Sequence, residues 1–309
     1  MVEMFALRRD GSRVQIRRVP RPEPTESQVR IRVALAGVCR TDILAARGLI
    51  PCADGITLGH EFAGTIDALG PGVSGWNLGQ RVAVCPVFGC RNCDVCADDE
   101  INCPNRTMLG LDHDGAFAEY VCVRAACLYP IPESISWAAA AYAEPIAAAL
   151  GVLDASVTRG GCGLVLGRNR FADLVLRLLR LYGIDDVHRS GEAGSFDFVI
   201  ETGLGAGTLS EMIRAARPGG ILVLKSRQPG EVGLDVLALG RKRLTILGAN
   251  YGSFREAVSL LVEGRLEVGD LCGPVYPLSA FESAFAKDTE GESAKVFLDP
   301  WGDHVRNPR

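Results

Sequence analysis

Apolar residues in the first half of the chain come in short alternating or β-branched runs. Residues 14–19, 28–35, 61–69 and 81–84 have this texture, with Gly, Pro and Asn between them, and each predicts a strand. Many short strands separated by turn signals predict a barrel-like β domain. A cysteine-rich loop lies between Gly89 and Pro104. Helical character begins near Ser136, a serine set ahead of an Ala-rich segment.

From Gly161 the pattern changes. Residues 164–166 form a short buried-strand run ending at Gly167. Leu174, Leu178, Leu179 and Tyr182 then fall at helical spacing within 171–182. Residues 196–201 read as a strand, and 209–216 as a helix that stops at Arg217-Pro218-Gly219-Gly220. Strands follow over 221–225 and 244–248, and an amphipathic helix over 254–263. Strand–helix–strand alternation predicts a parallel sheet covered by helices on both faces. The polar tail from Gly302 is expected to fray.

Length and charge narrow the class. The chain has 309 residues, and roughly 150 residues per domain predicts about two domains. A net charge of −4 and the lack of a basic tract argue against a nucleic-acid partner. No signal peptide is read at Met1-Val2-Glu3-Met4. The most apolar stretch, 137–153, is broken by Glu144-Pro145 and is too short to span a bilayer. A cytoplasmic protein without a membrane partner is therefore expected. Eleven cysteines in a reducing compartment point to metal rather than disulfides.

The strongest chemical signal is Cys90, Cys93, Cys96 and Cys103, a C-x2-C-x2-C-x6-C spacing. Four soft thiolates in one loop suit a tetrahedral zinc, and a closed four-sulfur site is structural. A second constellation is dispersed: Cys39 in Gly37-Val-Cys-Arg-Thr-Asp42, and His60-Glu61 in Gly59-His-Glu-Phe-Ala-Gly64. Spacing alone does not join these two. Cys52, Cys85, Cys122, Cys127, Cys162 and Cys272 read as core or incidental thiols. His113 reads as a turn histidine or an acid–base candidate, His188 as structural, and Phe88 as a packing or cleft-lining aromatic.

These motifs, with Asp114-Gly-Ala-Phe-Ala-Glu-Tyr120 and Ala143-Glu-Pro-Ile146, occur in an order that resembles the zinc-containing medium-chain dehydrogenase/reductase family. The likeness is to its alcohol, polyol and threonine dehydrogenase branch. It runs from near the N-terminus to about Pro300, and the last spacer of the cysteine loop is one residue shorter than usual.

The resemblance implies an α/β protein: a GroES-like β-barrel catalytic domain over 1–153 and a truncated Rossmann-type domain over 154–275. A C-terminal segment, 276–309, returns to the catalytic domain and ends in the frayed tail. It implies one catalytic zinc, in the cleft between the domains, and one structural zinc. Cys39 and His60 would be ligands, Glu61 a ligand or exchangeable neighbour, and Glu144 a ligand or the holder of the metal's water. Thr41 would relay the substrate proton, and Asp42 would act behind the ligands. One thiolate, one imidazole and a carboxylate leave an open coordination position, as catalysis requires. Homodimers or homotetramers formed through the Rossmann sheet are expected, with 221–225 and 244–248 central to the interface.

The nucleotide half departs from the pattern. Where G-x-G-x-x-G is expected, the chain has Gly167-Arg168-Asn169-Arg170-Phe171-Ala172. The first Gly is present and Ala is permitted in the third place, but an Asn side chain in the second would crowd a pyrophosphate. Arg168 and Arg170 add bulk together with positive charge beside a helix N-terminus. Only residues 184–195 then separate the helix from the next strand. A parallel crossover alone needs about a dozen residues, so the second strand, its helix and the ribose carboxylate look deleted.

Either a stunted strand over 184–188 survives, with Asp186 or Glu192 replacing the lost acid, or the adenosine pocket is gone. Two adjacent aspartates suit a buried central strand badly, which favours loss and makes NAD(P) doubtful. Two functions follow. One is an alcohol or polyol dehydrogenase in which zinc lowers the pKa of the bound alcohol and hydride passes to NAD(P). The alternative is a non-redox zinc lyase, isomerase, hydratase or cyclase. Each would act on a small molecule.

Overall fold

A computed structural model describes residues 2–11, 13–98, 100–155, 161–227, 229–289 and 294–302. The tail expected to fray lies, from 303 onward, outside the described residues. The chain divides into two compact units, Met1–Pro145 with Phe254–Arg309, and Ile146–Ser253. Among the described residues no helix is long and apolar enough to cross a membrane.

The first unit is built on antiparallel strands. β1 (Glu3–Asp10) pairs with β2 (Arg13–Pro20) and with β4 (Ile56–Thr57). β3 (Gln28–Gly37) is the hub of a second sheet. It pairs with β5 (Glu61–Leu69) in a register that sets Gly37 opposite Glu61. β6 (Arg81–Val84) continues beyond β5, β7 (Val87–Phe88) pairs with β8 (Thr107–Met108), and β9 (Tyr120–Arg124) also pairs with β3. β10 (Leu128–Pro130) closes one side of this sheet.

The C-terminal chain supplies β16 (Cys272–Pro277) and β17 (Lys295–Asp299), and β17 joins β3 with Phe297 opposite Gly37. Alternation puts Ile31, Val33, Phe62, Ile66, Val82, Val121 and Phe297 in the core at 2% exposure or less. Each such side chain contributes roughly 1.5–3 kcal/mol when fully buried. Helices α1 (Arg40–Ala46), α2 (Val95–Asp98) and α3 (Trp137–Ala141) complete this part. Ser136 caps α3, its hydroxyl accepting the Ala139 amide at 3.2 Å. α4 (Ala143–Leu150) then leads into the second unit.

The second unit is a five-stranded parallel sheet. Its strands are β11 (Gly163–Leu166), β12 (Val187–His188), β13 (Phe196–Glu201), β14 (Ala216–Leu224) and β15 (Thr245–Gly248), in the order β12-β11-β13-β14-β15. α5 (Arg170–Leu181) buries Leu174, Val175, Leu178 and Leu179, the helical spacing seen in the sequence. α6 (Thr208–Ala215) packs on β13 and β14, and α7 (Val236–Lys242) packs on β14. α8 (Phe254–Val262) and α9 (Phe281–Thr289) belong to the first unit.

Two expectations change here. Of the two readings of 184–195, the structure builds the stunted strand: β12 is two residues long, and the chain turns directly into β13 without a helix. The objection from paired aspartates falls away because β12 is an edge strand. Ile184 and Val187 are buried while Asp185 and Asp186 stay exposed. In addition, β14 begins at Ala216 rather than at 221, with a register shift against β13 between Phe196 and Phe198.

Candidate zinc and nucleotide sites

The Cys39, His60 and Glu61 cluster is assembled by two turns. Cys39 stands at the N-cap of α1, and its amide donates to Asp42 Oδ2 at 2.9 Å. The other oxygen of Asp42 accepts the Gly59 amide at 3.2 Å and lies 3.0 Å from His60 Nδ1. One carboxylate thus caps a helix and fixes the imidazole, leaving Nε2 to face a ligand. This is the outer partner that metal-binding histidines use. Asp42 is completely buried and His60 is 1% exposed.

Burial disfavours the charged imidazole, but the Asp42 carboxylate and then Cys39 outweigh it and hold His60 well above its ordinary pKa.

Glu61 follows His60 at the start of β5, and its carboxylate pairs with the Lys295 ammonium from β17, both side chains being almost fully buried. Gly37 makes room for that pair: a Cβ there would sit 2.7 Å from Glu61 Oε2 and 3.1 Å from Lys295 Cε. The Cys39 sulfur, a His60 nitrogen and a Glu61 oxygen lie within 4.8 Å of one another. A thiolate, an imidazole and a carboxylate converging at that range fit one zinc ion.

Thr41 is half-buried in the first turn of α1, two residues from Cys39. Glu144, 3% exposed in the first turn of α4, does not join the three-residue group. Phe88 is buried with Arg124 4.4 Å above its ring, and His113 contacts Thr107 Oγ1 at 3.1 Å. Neither belongs to the cluster.

The four-cysteine loop folds onto one point. Its sulfurs approach at 3.8 Å (Cys90–Cys96), 3.5 Å (Cys93–Cys96) and 3.8 Å (Cys93–Cys103). A zinc–sulfur bond of about 2.3 Å sets a tetrahedral edge of about 3.8 Å, so the thiols already have the spacing of zinc ligands. Amides of Cys90 and Asn105 donate to the Cys103 sulfur, each at 3.3 Å. The Cys90 amide is the largest influence drawing that thiol down to about 6. The shorter final spacer leaves the cluster intact.

At the nucleotide loop the structure corrects the steric argument. Asn169 does not project from the loop. Its backbone is extended, with φ −142°, and its Oδ1 caps α5 by accepting the Ala172 amide at 2.9 Å. Its Nδ2 donates to Thr202 Oγ1 at 3.1 Å, tying the loop to the end of β13. The left-handed backbone is at Gly167, φ +125°, where a Cβ would sit 2.1 Å from Thr202 Oγ1.

Arg168 is exposed and Arg170 half-buried at the N-terminus of this twelve-residue helix, which favours anions. Asp186 lies elsewhere: its carbonyl accepts the Gly163 amide at the start of β11, the end opposite Gly167. What reaches the loop instead is Arg189, just past β12. Its guanidinium donates to the Gly167 carbonyl and pairs with Asp173. Sequence reasoning missed it because only the strand's register reveals where β12 ends. We expect Asn169→Ala to lower stability by about 1–2 kcal/mol, read by denaturant titration. An unchanged midpoint would show that the cap is not used.

Comparison with known proteins agrees with this construction. Residues 25–133 match the alcohol dehydrogenase GroES-like domain. The chain is 31% identical to sorbitol dehydrogenase of Halalkalibacterium halodurans over 91% of its own length and 94% of that protein's. It is 26% identical to L-threonine 3-dehydrogenase of Stenotrophomonas maltophilia, covering 92% and 96%. A structure from Sinorhizobium meliloti, assigned as a zinc-binding dehydrogenase and bound to NADP, superposes with a TM-score of 0.88 at 26% identity. The match covers 97% of this chain and 100% of that one.

The chain belongs to the medium-chain dehydrogenase/reductase family. Within it, it is a zinc-dependent enzyme of the alcohol and polyol dehydrogenase type, and the non-redox alternative finds no support among these relatives. Nor do they support a lost nucleotide site, since the Sinorhizobium meliloti protein holds NADP with the same fold.

Proposed function

We propose that this enzyme oxidises a small secondary alcohol of the polyol or amino-alcohol class with NADP preferred over NAD. The observation that carries the preference is Arg189. In nucleotide-binding sheets of this type a carboxylate after the second strand takes the ribose hydroxyls of NAD, and an arginine nearby accommodates the extra phosphate of NADP. Here the end of β12 offers His188 and Arg189 and no acid. Arg168 adds a second exposed positive charge beside the same loop.

The zinc, when bound, supplies Lewis-acid stabilisation of negative charge on the substrate oxygen, and the nicotinamide supplies the hydride acceptor. The chain's own residues do the rest. Cys39, His60 and Glu61 hold the metal, with Asp42 fixing the His60 ring. Lys295 pairs with Glu61 and so competes with the metal for that carboxylate. The Thr41 hydroxyl takes the proton of the substrate alcohol and passes it outward. Gly167, with its left-handed backbone, makes the tight turn from β11 into α5 beside which the pyrophosphate would lie. Glu201 accepts the Lys225 and Ser226 amides, each at 2.8 Å, and shapes the sheet edge where the nicotinamide would lie. Through the β15 edge the chain would form homodimers or homotetramers. Sedimentation showing only a 33 kDa species would refute that.

Calorimetry of the zinc-loaded protein with the four nicotinamide nucleotides tests the reading. Micromolar NADP binding, weaker NAD binding and alcohol-dependent formation of NADPH are expected. Arg189→Ala should weaken NADP by about tenfold, the loss of one charge-assisted bond, and leave NAD less affected. No binding at millimolar nucleotide would end the dehydrogenase reading.

A further inference from the structure

We propose that Cys162, Asp186 and His188 form a third divalent-cation site, one that fastens the stunted strand β12 to the sheet. Cys162 immediately precedes β11, and Asp186 and His188 flank the buried Val187 on β12. Parallel pairing sets Gly163 opposite Val187 and Leu164 opposite His188, which brings the three side chains to one end of the two strands.

Their ligand atoms lie within 4.8 Å of one another. His188 Nε2 is 2.6 Å from Asp186 Oδ1. The His188 ring also rests 6.0 Å from that of Phe196 at the start of β13, which limits its rotation. On the other side of Cys162, its amide donates to Asp197 Oδ2 at 2.7 Å. Asp197 in turn pairs with Arg217, so it adds negative charge nearby but is already engaged.

One thiolate, one imidazole and one carboxylate make a borderline-soft donor set that suits zinc, with the remaining position open to water. The group is separate from the nucleotide loop. Five residue steps of extended chain, about 16 Å, separate Cys162 from Gly167 at the other end of β11. It shares no residue with either of the other two clusters.

The site also meets a structural need. β12 has only two ladder pairs and no following helix to hold it, and a two-residue edge strand opens readily. A cation bridging Cys162 to Asp186 and His188 would replace the covering helix as its anchor.

The test counts metal in the full chain. Protein loaded with excess zinc ions and desalted should retain about three zincs per chain, and Cys162→Ser and His188→Ala about two each. Hydrogen exchange over 184–189 should slow on zinc addition in the parent protein and stay unchanged in both variants. With cobalt(II) in place of zinc, Cys162→Ser should lose part of the sulfur-to-metal charge-transfer absorption. The proposal is overturned by about two zincs in the parent protein under excess metal, or by a third zinc that both variants keep. It is also overturned by exchange over 184–189 that ignores zinc.

Discussion

His60→Ala is expected to lower kcat/KM by at least about 1,000-fold while the protein keeps its four-cysteine zinc. Lewis-acid stabilisation is worth several kcal/mol in such sites, and each 1.36 kcal/mol of barrier is about tenfold in rate. Without the imidazole, the remaining donors are the Cys39 thiolate and a Glu61 carboxylate already engaged by Lys295. Two ligands, one of them contested, will not retain the ion. Metal analysis should show one zinc fewer per chain than the parent. The substitution also strips Asp42 Oδ1 of its imidazole partner in a fully buried place, so some stability will be lost as well. Cys39→Ser, which leaves the Asp42–His60 contact in place, separates the two effects. If His60→Ala turned over alcohol at the parent rate with one zinc missing, the assignment of this cluster as the catalytic centre would fail.

The second large effect is expected at Cys93. Its sulfur contacts two of the other three, at 3.5 and 3.8 Å. Structural zinc binding contributes about 10–16 kcal/mol of apparent free energy in small zinc peptides. Cys93→Ser removes one of four ligands and should cost several kcal/mol. At roughly 2–4 °C per kcal/mol for a chain of a few hundred residues, the Tm should fall by about 10 °C. The loop between Gly89 and Pro104 should become a site of proteolytic nicking. Redox activity at low temperature should survive, because the cluster at Cys39 and His60 does not include this loop. An unaltered Tm and an uncut loop would mean that the four thiols are ordinary packing residues.

How far the sequence carried the reading depended on whether the signal was local. The four-cysteine loop was legible because all its ligands lie within fourteen consecutive residues. The helix α5 was legible from its apolar spacing. Cys39 and His60 could be joined only through family resemblance, because the contact depends on Asp42 bridging two loops. β1 passed unnoticed although Ala6 and Leu7 are fully buried, since charged neighbours mask its pattern. α7 has no buried residue and therefore no amphipathic signature.

The nucleotide loop shows a different limit. Counting residues revealed that a crossover was missing, and the structure agrees that no helix follows β12. It could not reveal that Asn169 folds back as a helix cap or that Arg189 reaches Gly167. Both depend on side-chain direction rather than on residue type. The sequence read Cys162 as a core or incidental thiol and His188 as structural, with nothing to join them. Their proximity follows from the register of β11 with β12, which no single stretch of sequence encodes.

The placement of β17 has a consequence for the life of the chain before it is an enzyme. Lys295, the partner of Glu61, arrives 234 residues after it, and β17 completes the sheet on the Gly37 end of β3. Contacts of such sequence separation form late because the intervening chain must first be closed. A chain made from its N-terminus therefore carries Glu61 long before Lys295 exists to pair with it.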